Sequence, residues 1–375
     1  MATETRTTMD EKSYINPLNQ SLRVFFGEGL RVSLRQPSQA FYFFRTLIWQ
    51  WEAVRLRSRW KQKGVQVPPI MIFSITNQCN LRCKGCYHHA LRSLSEAELN
   101  DAKLRNVITE ARELGISFVV LAGGEPLVRH EILNITRDFP DILFFMFTNG
   151  LLINSEVAGQ FRRQRNVVPI VSFEGYREDT DNRRGNGVYE RLQATVKLLK
   201  SKKVFFGTSL TLTRSNFATV SNNEFIKNLA GQGCKLFFFV EYSPTQKGTE
   251  DWVITDEQRA SLSRLMSSYR SKFSALFISV PGDEKEFGGC LSAGRGFIHV
   301  SAEGNVEPCP FVPYSDTNLR DSSLRDALQS PFLKTIRETQ EMSEGKGGCA
   351  LWENREWVQS LLTVDPANSR CSAPR

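Results

Sequence analysis

The chain turns on one stretch, Ile70-Met71-Ile72-Phe73-Ser74-Ile75, followed after three residues by Cys79-Asn80-Leu81-Arg82-Cys83-Lys84-Gly85-Cys86-Tyr87. The apolar run reads as a buried strand. The three cysteines, spaced C-x3-C-x2-C, lie in a loop at its carboxyl end, so their sulfurs converge on one point. Three thiolates can hold one iron–sulfur cluster. A four-iron cluster takes one thiolate per iron, so a three-cysteine loop leaves one iron open to a small molecule. The plainer alternative is a zinc or structural cluster loop, but zinc sites usually pair C-x2-C with a second ligand pair, and none lies nearby.

This spacing after a first strand resembles the signature of the radical S-adenosylmethionine (SAM) enzymes. The resemblance implies a 4Fe-4S cluster on Cys79, Cys83 and Cys86 whose open iron chelates the amino and carboxylate groups of SAM. It further implies reductive cleavage of SAM to a 5′-deoxyadenosyl radical. Members of the family commonly carry an aromatic residue directly before the last cysteine, in contact with adenine. Gly85 stands there instead, and an aromatic follows only at Tyr87.

From position 69 the chain alternates apolar runs with amphipathic segments. Strands are expected at Ile70 to Ile75, Phe118 to Ala122, Ile142 to Phe147, Val168 to Phe173, Val204 to Leu212 and Lys235 to Tyr242. Helices are expected near 95–114, 129–138, 154–164, 188–201 and 220–231. Strands that are apolar throughout belong to a parallel sheet covered by helices, with right-handed crossovers. The expected fold class is α/β, a partial (β/α)6 TIM-like barrel over residues 69–250. An N-terminal helical extension occupies 1–68, and a C-terminal auxiliary iron–sulfur cluster region occupies 251–375.

Chemistry in such barrels collects at the carboxyl ends of the strands. After the second strand comes Gly123-Gly124-Glu125-Pro126, whose glycines allow close backbone approach and which resembles the family's GGEP motif for the amino group of SAM. The third strand ends in Thr148-Asn149-Gly150, read as a turn without a catalytic role. The fourth ends in Ser172-Phe173-Glu174-Gly175; alternation puts Ser172 and Glu174 on one face, and both resemble the residues that bond the ribose hydroxyls. Arg183-Arg184-Gly185-Asn186-Gly187 resembles the family's arginine–glycine segment, where Arg184, or else Arg183, would meet the SAM carboxylate. Thr211, Thr213, Asn216 and Glu241-Tyr242-Ser243-Pro244 are weaker candidates for contact with adenosine or substrate.

Beyond about 250 the β/α rhythm is expected to stop, after a helix from Asp256 to Phe273. Cys290 then precedes two short apolar runs around Ala302-Glu303-Gly304-Asn305, a β-hairpin pattern whose exit delivers Cys309. This layout resembles the auxiliary-cluster extensions called SPASM or Twitch. Cys349 and Cys371 would complete four ligands for one auxiliary 4Fe-4S cluster. The eighth cysteine, Cys234, enters the sixth strand from its amino end and reads as a small buried hydrophobe.

Composition sets the bounds. With 375 residues, 41% of them hydrophobic, the chain can bury a large core. No apolar run reaches the roughly 18 residues of a spanning helix, and the first residues lack a signal-peptide layout, so a cytoplasmic protein with reduced cysteines is expected. The net charge of +8 is concentrated: residues 1–68 hold 11 Lys/Arg against 5 Asp/Glu. The nearly neutral remainder offers no groove for nucleic acid.

Within the extension, Phe44, Leu47, Ile48 and Trp51 fall on one face of a helix that ends among Arg55, Arg57, Arg59, Lys61 and Lys63. The reading taken is a helix that packs this aromatic face on the enzyme's own core, or in a dimer. A peripheral contact with an anionic membrane through residues 41–63 is the alternative.

The function expected from the resemblance is a radical SAM enzyme that abstracts hydrogen from a substrate, a peptide or protein first, a lipid or other apolar small molecule second. A flavodoxin- or ferredoxin-like donor would supply the electron. From a different class, the alternative is a non-catalytic iron–sulfur redox or sensor protein.

Overall fold

The apolar runs become strands that pair in the order in which they occur. A computed structural model describes residues 12–34, 37–92, 96–281, 289–339 and 349–363. Its strands are β1 (Ile70–Thr76), β2 (Phe118–Gly123), β3 (Leu143–Thr148), β4 (Val167–Phe173), β5 (Gly207–Leu212), β6 (Leu236–Glu241), β7 (Leu276–Val280), β8 (Phe297–Val300) and β9 (Val306–Glu307). They form one sheet in the order β7-β6-β5-β4-β3-β2-β1-β8-β9. All neighbours are parallel except β8 and β9, which form the expected hairpin.

Two expectations are corrected here. The rhythm does not stop near 250, because a further helix and β7 extend the parallel sheet beyond β6. The hairpin joins the same sheet, since β8 pairs in parallel with β1 through Ile70 to Phe73. The fifth strand is also shorter than its apolar run, which enters the sheet at Gly207.

Helices lie between the strands: α1 (Lys12–Ser33), α2 (Pro37–Gln62), α3 (Tyr87–Leu91), α4 (Asp101–Leu114), α5 (Ile132–Arg137), α6 (Ser155–Gln164), α7 (Arg177–Arg184), α8 (Val188–Ser201), α9 (Phe217–Val220), α10 (Asn223–Gly231) and α11 (Asp256–Lys272). The starts of α4, α6, α10 and α11 are set by side chains that accept from otherwise unpaired amide groups. Asn100 accepts from Lys103, Asn154 from Glu156 and Val157, and Thr255 forms a capping box with Gln258. Among the described residues four short helices follow the hairpin, at Leu324–Ala327, Pro331–Glu338, Ala350–Glu353 and Arg355–Ser360.

The strands bury both faces. Met71, Phe73, Val119, Leu121, Phe144, Val171, Leu210 and Phe237 face the covering helices. The opposite side chains, Phe118, Leu143, Phe145, Val168, Ile170, Leu236 and Phe238, line the concave face together with Phe26 of α1 and Tyr42 and Phe43 of α2. Rings meet across this plug at Phe26–Phe118 and Phe43–Phe205, 5.0 and 5.3 Å between centroids. The α1–α2 hairpin therefore packs at the amino ends of the strands, opposite the cysteine loop.

Here the helical reading of the extension is right and the expected face is wrong. Gln39, Thr46, Gln50 and Arg57 of α2 are buried, and hydrogen bonds account for them. Gln50 Oε1 accepts from Ser117 Oγ at 2.8 Å, Arg57 donates to the Gly115 carbonyl at 2.5 Å, and Gln39 donates to that of Arg165 at 3.4 Å. Phe44, Ile48 and Trp51 point away from the core. The partners are a side chain just before β2 and the carbonyls that close α4 and α6, so these polar side chains are paired while Tyr42 and Phe43 beside them enter the aromatic plug. Among the described residues no helix is long and apolar enough to cross a membrane.

Candidate active site

The cysteine loop is held from four directions, each reaching it from the carboxyl end of a strand. From β2 and its exit, Gly124 N donates to Thr76 O and Glu125 N to Gln78 O, both at 2.8 Å. A Cβ at Gly124 would strike the backbone of Gln78, and one at Gly123 the carbonyl of Thr76. The two glycines are required by this approach of one loop to the other.

Glu125 is fully buried, and its carboxylate is already engaged. It accepts from Thr148 Oγ1 and Asn149 N, each at 2.7 Å, and from Leu127 N at 3.2 Å. Burial pushes its carboxyl up. Glu125 thus fixes the exit of β3 to that of β2. Asn149, read from sequence as a turn residue, completes the link: its amide donates to Asn80 Oδ1 at 2.7 Å and lies 3.9 Å from Cys79 Sγ. Its position at a strand's carboxyl end was the available signal.

From β4 and α7 comes an ion cluster. Glu174 Oε1 takes Arg184 at 2.5 Å and Arg183 at 2.6 Å, while its buried Oε2 has no partner among the described residues. Lys84 N donates to Arg183 O at 2.9 Å, and Arg183 Nε donates back to Lys84 O at 3.2 Å. Burial works against the charge on Arg184, but the Glu174 carboxylate and the nearby sulfurs of Cys83 and Cys86 raise its pKa overall. Residues assigned from sequence to separate roles, Glu174 and Arg184, are joined here. Ser172 lies on the concave face, 2.9 Å from Ser209 Oγ. Asn216 donates to the carbonyls of Glu174 and Thr211, which ties β5 to β4.

From β6 come Tyr242 and, just beyond it, Trp252, with rings 5.3 Å apart. A Cβ at Gly85, whose φ is +64°, would lie 2.7 Å from the Tyr242 hydroxyl and 2.8 Å from the Trp252 ring. The missing aromatic before Cys86 is thus matched by two aromatics arriving from elsewhere in the chain. Tyr242 is a weak candidate from sequence, but sequence order hides Trp252, which lies 167 positions downstream of Gly85.

The fourth direction is the hairpin. Arg92, just after α3, donates to both oxygens of Glu307 at 2.6 and 2.5 Å and to Pro310 O at 3.4 Å. His299 Nδ1 lies 2.7 Å from Glu307 Oε2, and its Nε2 lies 2.8 Å from Ser74 Oγ. With the carboxylate accepting, Nδ1 carries the proton and Nε2 accepts from Ser74. Burial acts to raise the Glu307 carboxyl, but the hydrogen bonds from Arg92 and His299 hold it below the ordinary range. Asn77 Nδ2 donates to Glu303 in the hairpin turn, and Tyr87 meets Phe311 edge-on at 5.0 Å. None of these pairs was legible from spacing.

Cys79, Cys83 and Cys86 are half-buried free thiols. Burial pushes Cys79 up to about 11, and Cys83 is raised for the same reason. Binding a metal would require their deprotonation. Cys290, Cys309 and Cys349 also converge. Cys309 is raised well above its ordinary value by the adjoining sulfur of Cys349, by burial and by Cys290. The predicted fourth member, Cys371, lies outside the described residues. Among the described residues no three His, Cys, Asp or Glu side chains close tightly enough to grip a single ion. Cys234 is buried as expected, with its thiol pushed up to about 12 by burial.

Residues 73–218 match the family model of the radical SAM superfamily. The chain is 27% identical, over 77% of its length and 89% of the relative's, to the AdoMet-dependent heme synthase of Methanosarcina barkeri. It is 24% identical, over 80% and 89%, to the PqqA peptide cyclase of Gluconobacter oxydans. In fold it is similar to Streptococcus suis SuiB, with a TM-score of 0.63 at 17% identity, covering 79% of this chain and 73% of that one.

Proposed function

This chain carries a radical SAM domain over residues 73–218, and from that premise we propose an enzyme that cleaves SAM reductively at Cys79, Cys83 and Cys86 and abstracts hydrogen from a peptide or protein substrate at the barrel mouth. The observation that carries the reading is the stitching of the C-x3-C-x2-C loop to the Gly123–Pro126 backbone, one β/α unit away. When bound, the 4Fe-4S cluster and SAM supply the electron and the 5′-deoxyadenosyl radical.

The chain's own residues bind and orient. Backbone carbonyls of Gly123, Gly124 and Pro126 would accept from the SAM ammonium, with Glu125 holding their loop in place. Arg184, with Arg183 beside it, would take the carboxylate. The unpartnered Glu174 Oε2 and Ser172 are suited to ribose hydroxyls, and Tyr242 and Trp252 offer an aromatic face to adenine. Cys290, Cys309, Cys349 and Cys371 would hold an auxiliary 4Fe-4S cluster. A flavodoxin- or ferredoxin-like protein would reduce the first cluster.

Likeness to the PqqA peptide cyclase supports a peptide substrate. A porphyrin is the second reading, favoured by likeness to the heme synthase. Incubation with SAM, dithionite and either a pool of candidate precursor peptides or an iron porphyrin separates them. The proposal expects peptide-dependent 5′-deoxyadenosine and a peptide mass change. Stimulation by the porphyrin alone would replace it.

A further inference from the structure

Helix α2 buries Ala40, Tyr42, Phe43 and Ala53 together with several polar residues and leaves a second apolar face uncovered. Its polar residues Gln39, Thr46, Gln50 and Arg57 are buried against the barrel, while Phe41, Phe44, Ile48 and Trp51 are 61, 52, 57 and 58% exposed. These four recur at helical spacing on one face. The same face continues through Arg55 and Arg59, so an aromatic half runs into a cationic half. A contiguous exposed stripe of this kind marks an interaction surface.

Charge selects the occupant. Arg45, Arg55, Arg59, Lys61 and Lys63 are exposed here, and Glu52 is the only carboxylate in α2. A second copy of this chain would bring like charges together, whereas anionic headgroups would neutralise them. Aromatic side chains entering the headgroup boundary beside arginines that reach phosphates is the geometry of an interfacial helix. Beside the stripe, between α1 and α2, a small cleft is lined by Leu22, Leu47, Trp51 and Val54 together with the polar Gln50 and Arg57. We propose that the outward face of α2 docks the protein on an anionic phospholipid surface. Because α2 sits at the amino ends of the strands, docking leaves the barrel mouth facing away from the bilayer and open. This inference does not depend on the reaction proposed above.

The test is flotation of the full chain with vesicles of phosphatidylglycerol mixed with phosphatidylcholine, and with phosphatidylcholine alone. Binding is expected to the mixed vesicles and to weaken with salt. Phe44→Ser with Trp51→Ser should reduce it roughly tenfold or more, and Arg55→Glu with Arg59→Glu by a similar factor. These side chains are exposed, so circular dichroism should match the wild type. No flotation with the mixed vesicles, or equal flotation of wild type and both variants, overturns the proposal. So does a wild-type dimer in light scattering that the Phe44/Trp51 variant converts to monomer, since a second copy would then own the surface.

Discussion

The two ends of the barrel use the same side-chain types in opposite senses. At the carboxyl end the polar residues meet each other: Glu307 is shared by Arg92 and His299, Glu174 by Arg183 and Arg184, and Glu125 by Thr148 and Asn149. At the amino end polar residues of α2 face inward beside Tyr42 and Phe43 and bond the barrel's backbone, while Phe41, Phe44, Ile48 and Trp51 are left outside. Polarity alone does not say which side of an element is buried. What decides is whether the surface beneath it is apolar or carries unpaired amides and carbonyls.

If this contrast is right, Arg92→Met should have the largest effect. It strands the buried Glu307 carboxylate, at a cost of about 3–5 kcal/mol, and frees the loop bearing Cys309. Iron analysis of the reconstituted variant should show loss from the C-terminal site first; full iron content and unchanged melting would break the comparison. Gly124→Ala should cost about 2–4 kcal/mol, because a Cβ there meets the Gln78 backbone. A variant of wild-type stability would mean that the two loops are not in contact.

Much of the carboxyl end was legible, and for a physical reason. Strands buried on both faces must be apolar throughout, so Ile70 to Ile75 or Ile142 to Phe147 could be placed from composition. Cluster chemistry demands cysteines at close spacing, and close approach demands glycine at 123 and 124. Arg92 and Trp252 were not legible, because each acts on a loop distant in sequence; Tyr242 was only a weak candidate and Asn149 only a turn residue, for the same reason. On α2 the spacing of Phe44, Ile48 and Trp51 was read correctly as one face, but periodicity does not say whether that face looks in or out.

Smaller effects sharpen the comparison. Asn149→Ala removes the donor to Asn80 and should cost about 1–2 kcal/mol, with faster loss of iron from the three-cysteine loop under a chelator. Unchanged iron release would detach Asn149 from the site. Ile48→Ser, on the outward face of α2, should change stability by no more than about 0.5 kcal/mol, whereas Thr46→Phe, two positions earlier and buried, should overpack and cost about 1–3 kcal/mol. Reversal of that order in urea unfolding would show that α2 packs its aromatic face after all.

The central claim is that Cys79, Cys83 and Cys86, held by the Gly123–Pro126 backbone, form a centre that cleaves SAM. Anaerobic reconstitution followed by addition of SAM and dithionite measures it directly. The account predicts 5′-deoxyadenosine from the wild type and none from Cys83→Ala. Equal product from both proteins, or none from wild type that holds iron and binds SAM while supplied with candidate substrates, would contradict it and favour a non-catalytic iron–sulfur protein.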